Sequence, residues 1–140
     1  MTRFMMTMKD AIKLVFFAFK EGKNGEIFVK KSPAATIDTI LNAVSRITSK
    51  KVKIKIIGSR HGEKHHETLI TKEELNKSIE YRDYYKINFD NRDLNYEKFF
   101  SKGKKNKIKV DYTSENTRRL SVSDTQKLLS PIIKYDTQWI

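Results

Sequence analysis

Apolar residues recur at helical spacing twice in the first fifty positions. Ile12, Val15, Phe16 and Phe19 mark one face of a helix over about Met8–Glu21, with Thr7 and Asp10 placed as its capping box and Gly22 as its stop. After the turn Lys23-Asn24-Gly25, the stretch Glu26–Val29 reads as a short strand. Thr36 caps a second helix to about Thr48, with Ile37, Ile40, Leu41, Val44 and Ile47 on its apolar side. Val52–Ile57 then alternates apolar residues with Lys53 and Lys55, the pattern of a strand with one buried and one wet face. Thr71 and Glu74 form a capping box for a third helix from about Lys72.

The order to this point is helix, strand, helix, strand, loop, helix, which is half of an α/β unit. Two strands make a poor sheet alone, so the segment is expected to pack against further structure. From Tyr81 the pattern changes. Tyr84, Tyr85, Phe89, Tyr96, Phe99 and Phe100 follow no clear period, Asp90–Asn95 is turn-prone, and Ser101–Lys109 reads as a lysine-rich loop. Ser123 and Gln126 are placed to cap a last short helix ending before Pro131. The expected organisation is an α/β subdomain over residues 1–80 and a C-terminal, aromatic-rich arm over 81–140.

Composition narrows the function classes. The chain has 140 residues, enough for one domain or part of a larger one, and eight Phe, six Tyr and one Trp to build a core. Its formal net charge is +12, which invites a nucleic-acid reading. Lysines dominate, however, and spread from Lys9 to Lys134, while arginines are confined to positions 3, 46, 60, 82, 92, 118 and 119. Base readout and bidentate phosphate contacts favour Arg, so a solvated lysine surface is the preferred explanation. The absence of cysteine excludes disulfides and thiolate metal sites and fits a reducing, cytoplasmic location. The apolar run Leu14–Phe19 is too short for a signal peptide or a membrane span.

The search for catalytic chemistry returns absences. The glycines at 22, 25, 58, 62 and 103 form no dinucleotide-binding cluster. No tyrosine has a lysine four positions on, and no nucleophile elbow occurs. His61, His65 and His66 are the only histidines; His61 and His65 are four apart, but Gly62 breaks any helix between them and no further histidine is available, so exposed loop histidines are expected.

Binding chemistry is better represented. Gly58–Glu67 reads Gly-Ser-Arg-His-Gly-Glu-Lys-His-His-Glu. A guanidinium at Arg60 can grip phosphate oxygens, a carboxylate at Glu63 can accept ribose hydroxyls, and Gly58 and Gly62 allow a close backbone approach. That set suits an anionic, hydroxyl-rich ligand such as a nucleotide diphosphate sugar; a surface ion pair between Arg60 and Glu63 is the alternative. Arg3 would ordinarily sit on a frayed terminus, but Phe4, Met5 and Met6 around it are costly to expose, which points to a segment interior to a longer chain.

Four motifs carry a family likeness: Met-Thr-Arg-Phe-Met-Met-Thr at 1–7, Gly-Ser-Arg-His-Gly-Glu-Lys at 58–64, Asp-Asn-Arg-Asp-Leu-Asn-Tyr at 90–96 and Asn-Thr-Arg-Arg-Leu at 116–120. In this order they resemble the C-terminal part of capsular-polysaccharide nucleotide-sugar enzymes. These are extended short-chain dehydrogenase/reductases that act as UDP-N-acetylglucosamine 4,6-dehydratase/5-epimerases or are named UDP-glucose 4-epimerases. The likeness runs to about residue 130. It implies an α/β fold whose N-terminal Rossmann half, with NADP or NAD and the Tyr/Lys pair, is not in this chain. It implies that Arg3 and Arg60 contact the diphosphate of a UDP-sugar and that Glu63 contacts the ribose. It further implies a partner Rossmann half, on a separate chain if not on this one, and subunit contacts through the arm. The family's chemistry is transient oxidation at C4 by the cofactor, for which no residue here can be given a catalytic role. His65 and His66 stand where the family more usually has Leu-Tyr. Two other outcomes remain open: a basic, non-enzymatic binder of nucleic acid or anionic polymer, and a fragment without function.

Overall fold

The computed structural model describes residues 1–89 and 110–136. The turn-prone stretch Asp90–Asn95, the aromatic residues Tyr96, Phe99 and Phe100, and the lysine-rich loop to Lys109 lie outside the described residues.

The chain is mixed α/β and divides into two compact units, each assembled from separated segments. The first comprises residues 1–11, 32–68 and 113–140, and the second residues 12–31 and 69–112. The second unit takes residues from both sides of position 80, where a boundary was expected.

In the first unit, β1 (Thr2–Phe4) pairs antiparallel with β3 (Ala34–Thr36), setting Thr2 opposite Thr36 and Phe4 opposite Ala34. Residues 118–120 run along β3: Ala34 N donates to Arg118 O and Leu120 N to Ala34 O, each at 2.9 Å. Thr117 Oγ1 donates to Ser32 O at 2.9 Å, and Leu120 is buried. The Asn-Thr-Arg-Arg-Leu motif at 116–120 is therefore a backbone brace for the strand beside Arg3. Ala34 and Ala35 are fully buried, because larger side chains would hold these three backbone segments apart.

Helix α2 (Ile37–Thr48) begins as its sequence dictates, with Thr36 Oγ1 accepting from Thr39 N at 3.0 Å. It ends at Ser49, whose φ of 54° is the left-handed turn that terminates helices. Ala43 is its buried residue, and Ile37, expected on the inner face, is exposed. Helix α4 (Val122–Asp136) packs along α2. Its cap is Ser121 with Asp124, two residues ahead of the expected Ser123 and Gln126, and it runs through Pro131. Proline removes one donor from the ladder but does not end this helix.

The second unit is built on a three-stranded antiparallel sheet ordered β2 (Ile27–Lys30), β6 (Tyr84–Ile87), β5 (Ser78–Glu80). Tyr84 and Tyr85 occupy successive positions of the central strand and so point to opposite faces, which accounts for their lack of helical period. Phe17 of α1 stacks on Tyr84 at 4.4 Å and meets Phe28 and Tyr81 edge-on at 5.6 and 5.4 Å. On β6, Lys86 Nζ donates to Glu26 Oε1 at 2.9 Å, and both side chains are nearly covered. Helix α3 (Lys72–Lys77) has the reciprocal Thr71–Glu74 capping box its sequence announces. The remaining strands, β4 (Thr68–Ile70) and β7 (Tyr112–Thr113), pair with each other.

Helix α1 spans Met8–Glu21, with Thr7 and Asp10 capping it as expected. The apolar face read from its periodicity lies outward in this chain. Ile12, Val15, Phe16 and Phe19 are exposed, while Ala11, Leu14, Phe17 and Ala18 are half-buried on the opposite side. The expected strand Val52–Ile57 is also overturned: residues 51–60 carry no regular structure, and Ile54 and Ile56 are 59% and 92% exposed. Alternation describes the faces of a strand, but a strand exists only when a neighbour takes its backbone hydrogen bonds, and none of the described residues does.

Candidate functional site

Within the first unit, a cluster forms where β1 meets the loop 58–67. Gly58 and Gly62 adopt φ of 74° and 78°, a conformation that favours glycine, and a Cβ at either would meet nothing within 4 Å. The turn between them closes twice. Glu63 N donates to Arg60 O at 3.0 Å, and Arg60 N donates to Glu63 Oε2 at 3.1 Å. Glu63 thus fixes the backbone of Arg60, not its guanidinium. The Arg60 side chain is exposed, and no ion pair or hydrogen bond engages it among the described residues.

Arg3 projects from β1 into this loop. Its Nη1 donates to Thr2 O at 2.8 Å; its Nη2 lies 3.7 Å from Glu63 Oε1 and its Nε 3.7 Å from Glu67 Oε1. The guanidinium keeps about a quarter of its exposure. Arg3 is therefore not on a frayed end, because strand pairing with β3 holds it. Both carboxylate distances are too long for hydrogen bonds, which leaves N–H donors of Arg3 available to a further anion.

Beneath Arg3 runs a buried hydroxyl network that sequence reasoning missed. Thr2 Oγ1 sits 2.8 Å from His66 Nδ1 and 2.7 Å from Ser114 Oγ. Ser114 Oγ also accepts from Glu67 N at 2.8 Å, while Ser114 N donates to Glu67 O at 2.8 Å and Thr2 N to His65 O at 2.9 Å. Thr2 is 4% and Ser114 0% exposed, so losing either hydroxyl would strand a buried partner. The network straps residues 65–67 to β1 and to the turn after β7. His66, one of the two residues that depart from the resembled pattern, is a member of it. Its Nε2 faces Glu115 Oε1 at 3.8 Å. His65 lies at the surface side, with Nε2 3.3 Å from Ser59 Oγ.

The expected binding residues thus separate into two kinds. Arg3 and Glu63 come together through side chains, and Arg60 joins them through its backbone. Glu67 was missed although it is a second carboxylate four residues beyond Glu63. Thr2 and Ser114 carry no sequence signal, being 112 positions apart. No group of three or more His, Asp or Glu among the described residues is arranged to hold a metal ion. No described helix is long and apolar enough to cross a membrane.

Comparison with known proteins defines the class. Residues 1–89 match the family described as polysaccharide biosynthesis protein, and residues 90–133 match the family described as polysaccharide biosynthesis protein C-terminal. The chain belongs to the polysaccharide biosynthesis protein family and corresponds to the C-terminal part of its relatives. It is 49% identical over 130 residues to a UDP-glucose 4-epimerase of Rickettsia rickettsii (strain Sheila Smith), covering 92% of this chain and 38% of the relative. The UDP-glucose 4-epimerase of Rickettsia akari (strain Hartford) is 48% identical with the same coverage. The X-ray structure of Pen from Bacillus thuringiensis superposes with a TM-score of 0.70 at 29% identity, covering 92% of this chain and 37% of that one. The chain spans about two fifths of the length of the relatives it matches.

Proposed function

We propose that this chain is the sugar-nucleotide-binding, C-terminal subdomain of an extended short-chain dehydrogenase/reductase acting on UDP-sugars in polysaccharide biosynthesis. Arg3 and Arg60 take the diphosphate and Glu63 accepts the ribose hydroxyls. One observation supports this above the others: Arg3 from β1 and the Gly58–Glu67 loop converge, with Arg3 Nη2 3.7 Å from Glu63 Oε1 while the guanidinium of Arg60 stays unengaged. An exposed, unengaged guanidinium at Arg60 and a partly satisfied one at Arg3 suit two phosphate groups. Each Glu63 oxygen keeps a lone pair for a hydroxyl donor. The names of the relatives favour epimerisation of a UDP-sugar over dehydration.

The described residues do not fit a dinucleotide cofactor. Gly25 lies between α1 and β2, and Gly58 and Gly62 share the loop ahead of β4, so none stands between a strand end and a helix start. NAD or NADP would belong to the part of the relatives that this chain does not span, and no step of the reaction is assigned to residues here.

Isothermal titration of the full chain with UDP tests the reading. UDP binds with an affinity that falls about tenfold or more in Arg60→Ala, the loss expected for charge-assisted hydrogen bonds to phosphate. Uridine binds weakly and equally to both proteins. Absence of UDP binding, or equal UDP affinity in Arg60→Ala, would overturn it. An affinity indifferent to Arg60 yet steeply dependent on salt would instead favour a lysine-surface polyanion binder.

A further inference from the structure

We infer that the outer face of α1 is the docking surface for the part of the polysaccharide biosynthesis enzyme that this chain does not span, whether that part is carried on the same polypeptide or supplied on another. The inference rests on family membership and on α1 itself, not on nucleotide binding.

Helix α1 carries apolar residues on two faces, with Lys9, Lys13 and Lys20 along one margin. Its inner face, Ala11, Leu14, Phe17 and Ala18, is half-buried, with Phe17 against Phe28, Tyr81 and Tyr84. Its outer face, Met8, Ile12, Val15, Phe16 and Phe19, repeats at i, i+4, i+7, i+8 and i+11, a stripe along the whole helix. Met8 is 75%, Phe16 69% and Phe19 82% exposed. A helix apolar on both sides belongs between two layers, and among the described residues only one layer is present. A contiguous stripe of this kind marks an interaction surface.

Two observations decide the occupant. The relatives share 49% identity with this chain but extend well beyond it, the match covering 38% of their length, so about three fifths of their chain is available to supply the second layer. Lys9, Lys13 and Lys20 flank the stripe, and a second copy of the chain, at net +12, would bring like charges together across it. The uncovered stretch Val52–Ile57 agrees, because it is a second run of strand composition left without a neighbour. The partner surface is accordingly apolar with an acidic rim.

The chain contains no cysteine, so Phe16→Cys and Phe19→Cys each introduce a unique thiol in it. Maleimide labelling of that peptide, followed by mass spectrometry, is compared between the isolated chain and the chain fused behind the unmatched N-terminal portion of the Rickettsia rickettsii relative. Arg46→Cys on α2 serves as the exposed control. Labelling at 16 and 19 is fast in the isolated chain and slowed at least tenfold in the fusion, while position 46 is unchanged. Equal rates in both contexts would overturn the inference. Protection in the isolated chain that grows with concentration would overturn it in favour of self-association. A second measurement needs no fusion: Phe16→Ser/Phe19→Ser leaves the melting temperature of the isolated chain unchanged and raises its solubility. A lower melting temperature would assign the face to the chain's own core and overturn the inference. UDP titration of the same variants is a separate readout, so failure of docking and failure of nucleotide binding are distinguishable.

Discussion

The two units of this chain are held together by opposite means. The second is built from large rings: Phe17 of α1 touches Phe28 of β2, Tyr81 between β5 and β6, and Tyr84 of β6, and Lys31 Nζ lies 4.7 Å over the ring of Tyr85 while pairing with Glu80. The first is built from small residues, with Ala34, Ala35, Ala43, Ser114 and Thr125 all fully buried. Rings remove much apolar area from water. Alanines and hydroxyls bury little area, yet they let backbones approach and fix them by directed bonds. The unit whose fully buried residues are small is the one that carries Arg3 and Glu63. Stability and positional accuracy are supplied by different parts of the chain.

Amide hydrogen exchange, read strand by strand, can break that comparison. Phe17→Ala should have the largest effect, about 3 kcal/mol, the low end for an aromatic truncation because the ring is half-buried. It should speed exchange in β2, β5 and β6 and leave β1 and β3 protected. Uniform acceleration in both units would show that they unfold as one. Ala35→Leu forces a larger side chain between β1 and its neighbours and should cost about 1–3 kcal/mol, with exchange rising in β1 and β3 alone. Ser114→Ala removes the shared hydroxyl under Arg3 and should cost about 1–2 kcal/mol. It should also weaken UDP binding without touching any proposed ligand contact, whereas Phe17→Ala should leave that binding intact.

The smallest effect is a pH dependence confined to the second unit. The hydrogen bond from Lys86, with that from Lys23 N, holds the Glu26 carboxyl below its ordinary 4.5, and Glu26 holds the Lys86 ammonium above its ordinary 10.5. The carboxylate's contribution is present above the ordinary value and is lost as pH falls through the depressed one; the ammonium's is present below 10.5 and is lost as pH rises through the raised one. Lys86→Met should therefore lower the melting temperature most between these limits, and the difference from the wild type should shrink toward acid. A constant difference across pH would assign the loss to packing of the lysine stem.

Local signals were legible in the sequence, and pairing signals were not. Thr7, Thr36 and Thr71 mark their helices because a cap is settled within four residues. The partner of β1 is β3, more than thirty residues away, and nothing near Thr2 announces it. Val52–Ile57 shows the converse, a strand pattern with no strand. In α1 the periodicity located the helix but could not orient it, because both faces are apolar and only packing shows which is inner. The site was legible in the same measure. Arg60 and Glu63 stand out by residue type beside glycines at positive φ, and Arg3 by its apolar flanks, whereas Thr2 and Ser114 have meaning only once the fold brings them within 2.7 Å.

The uncovered run from Lys51 to Ile57 has a consequence for the protein as a colloid. Among the described residues no strand pairs with this run, and a β-branched backbone with unpaired amides and carbonyls is a template on which identical chains can stack. Lys51, Lys53 and Lys55 act as gatekeepers, since in-register stacking would bring their ammonium groups into close rows. That protection is electrostatic and fades as ions screen it. The chain should stay dispersed in dilute buffer and should aggregate with rising salt, a response opposite to that of proteins precipitating near zero net charge.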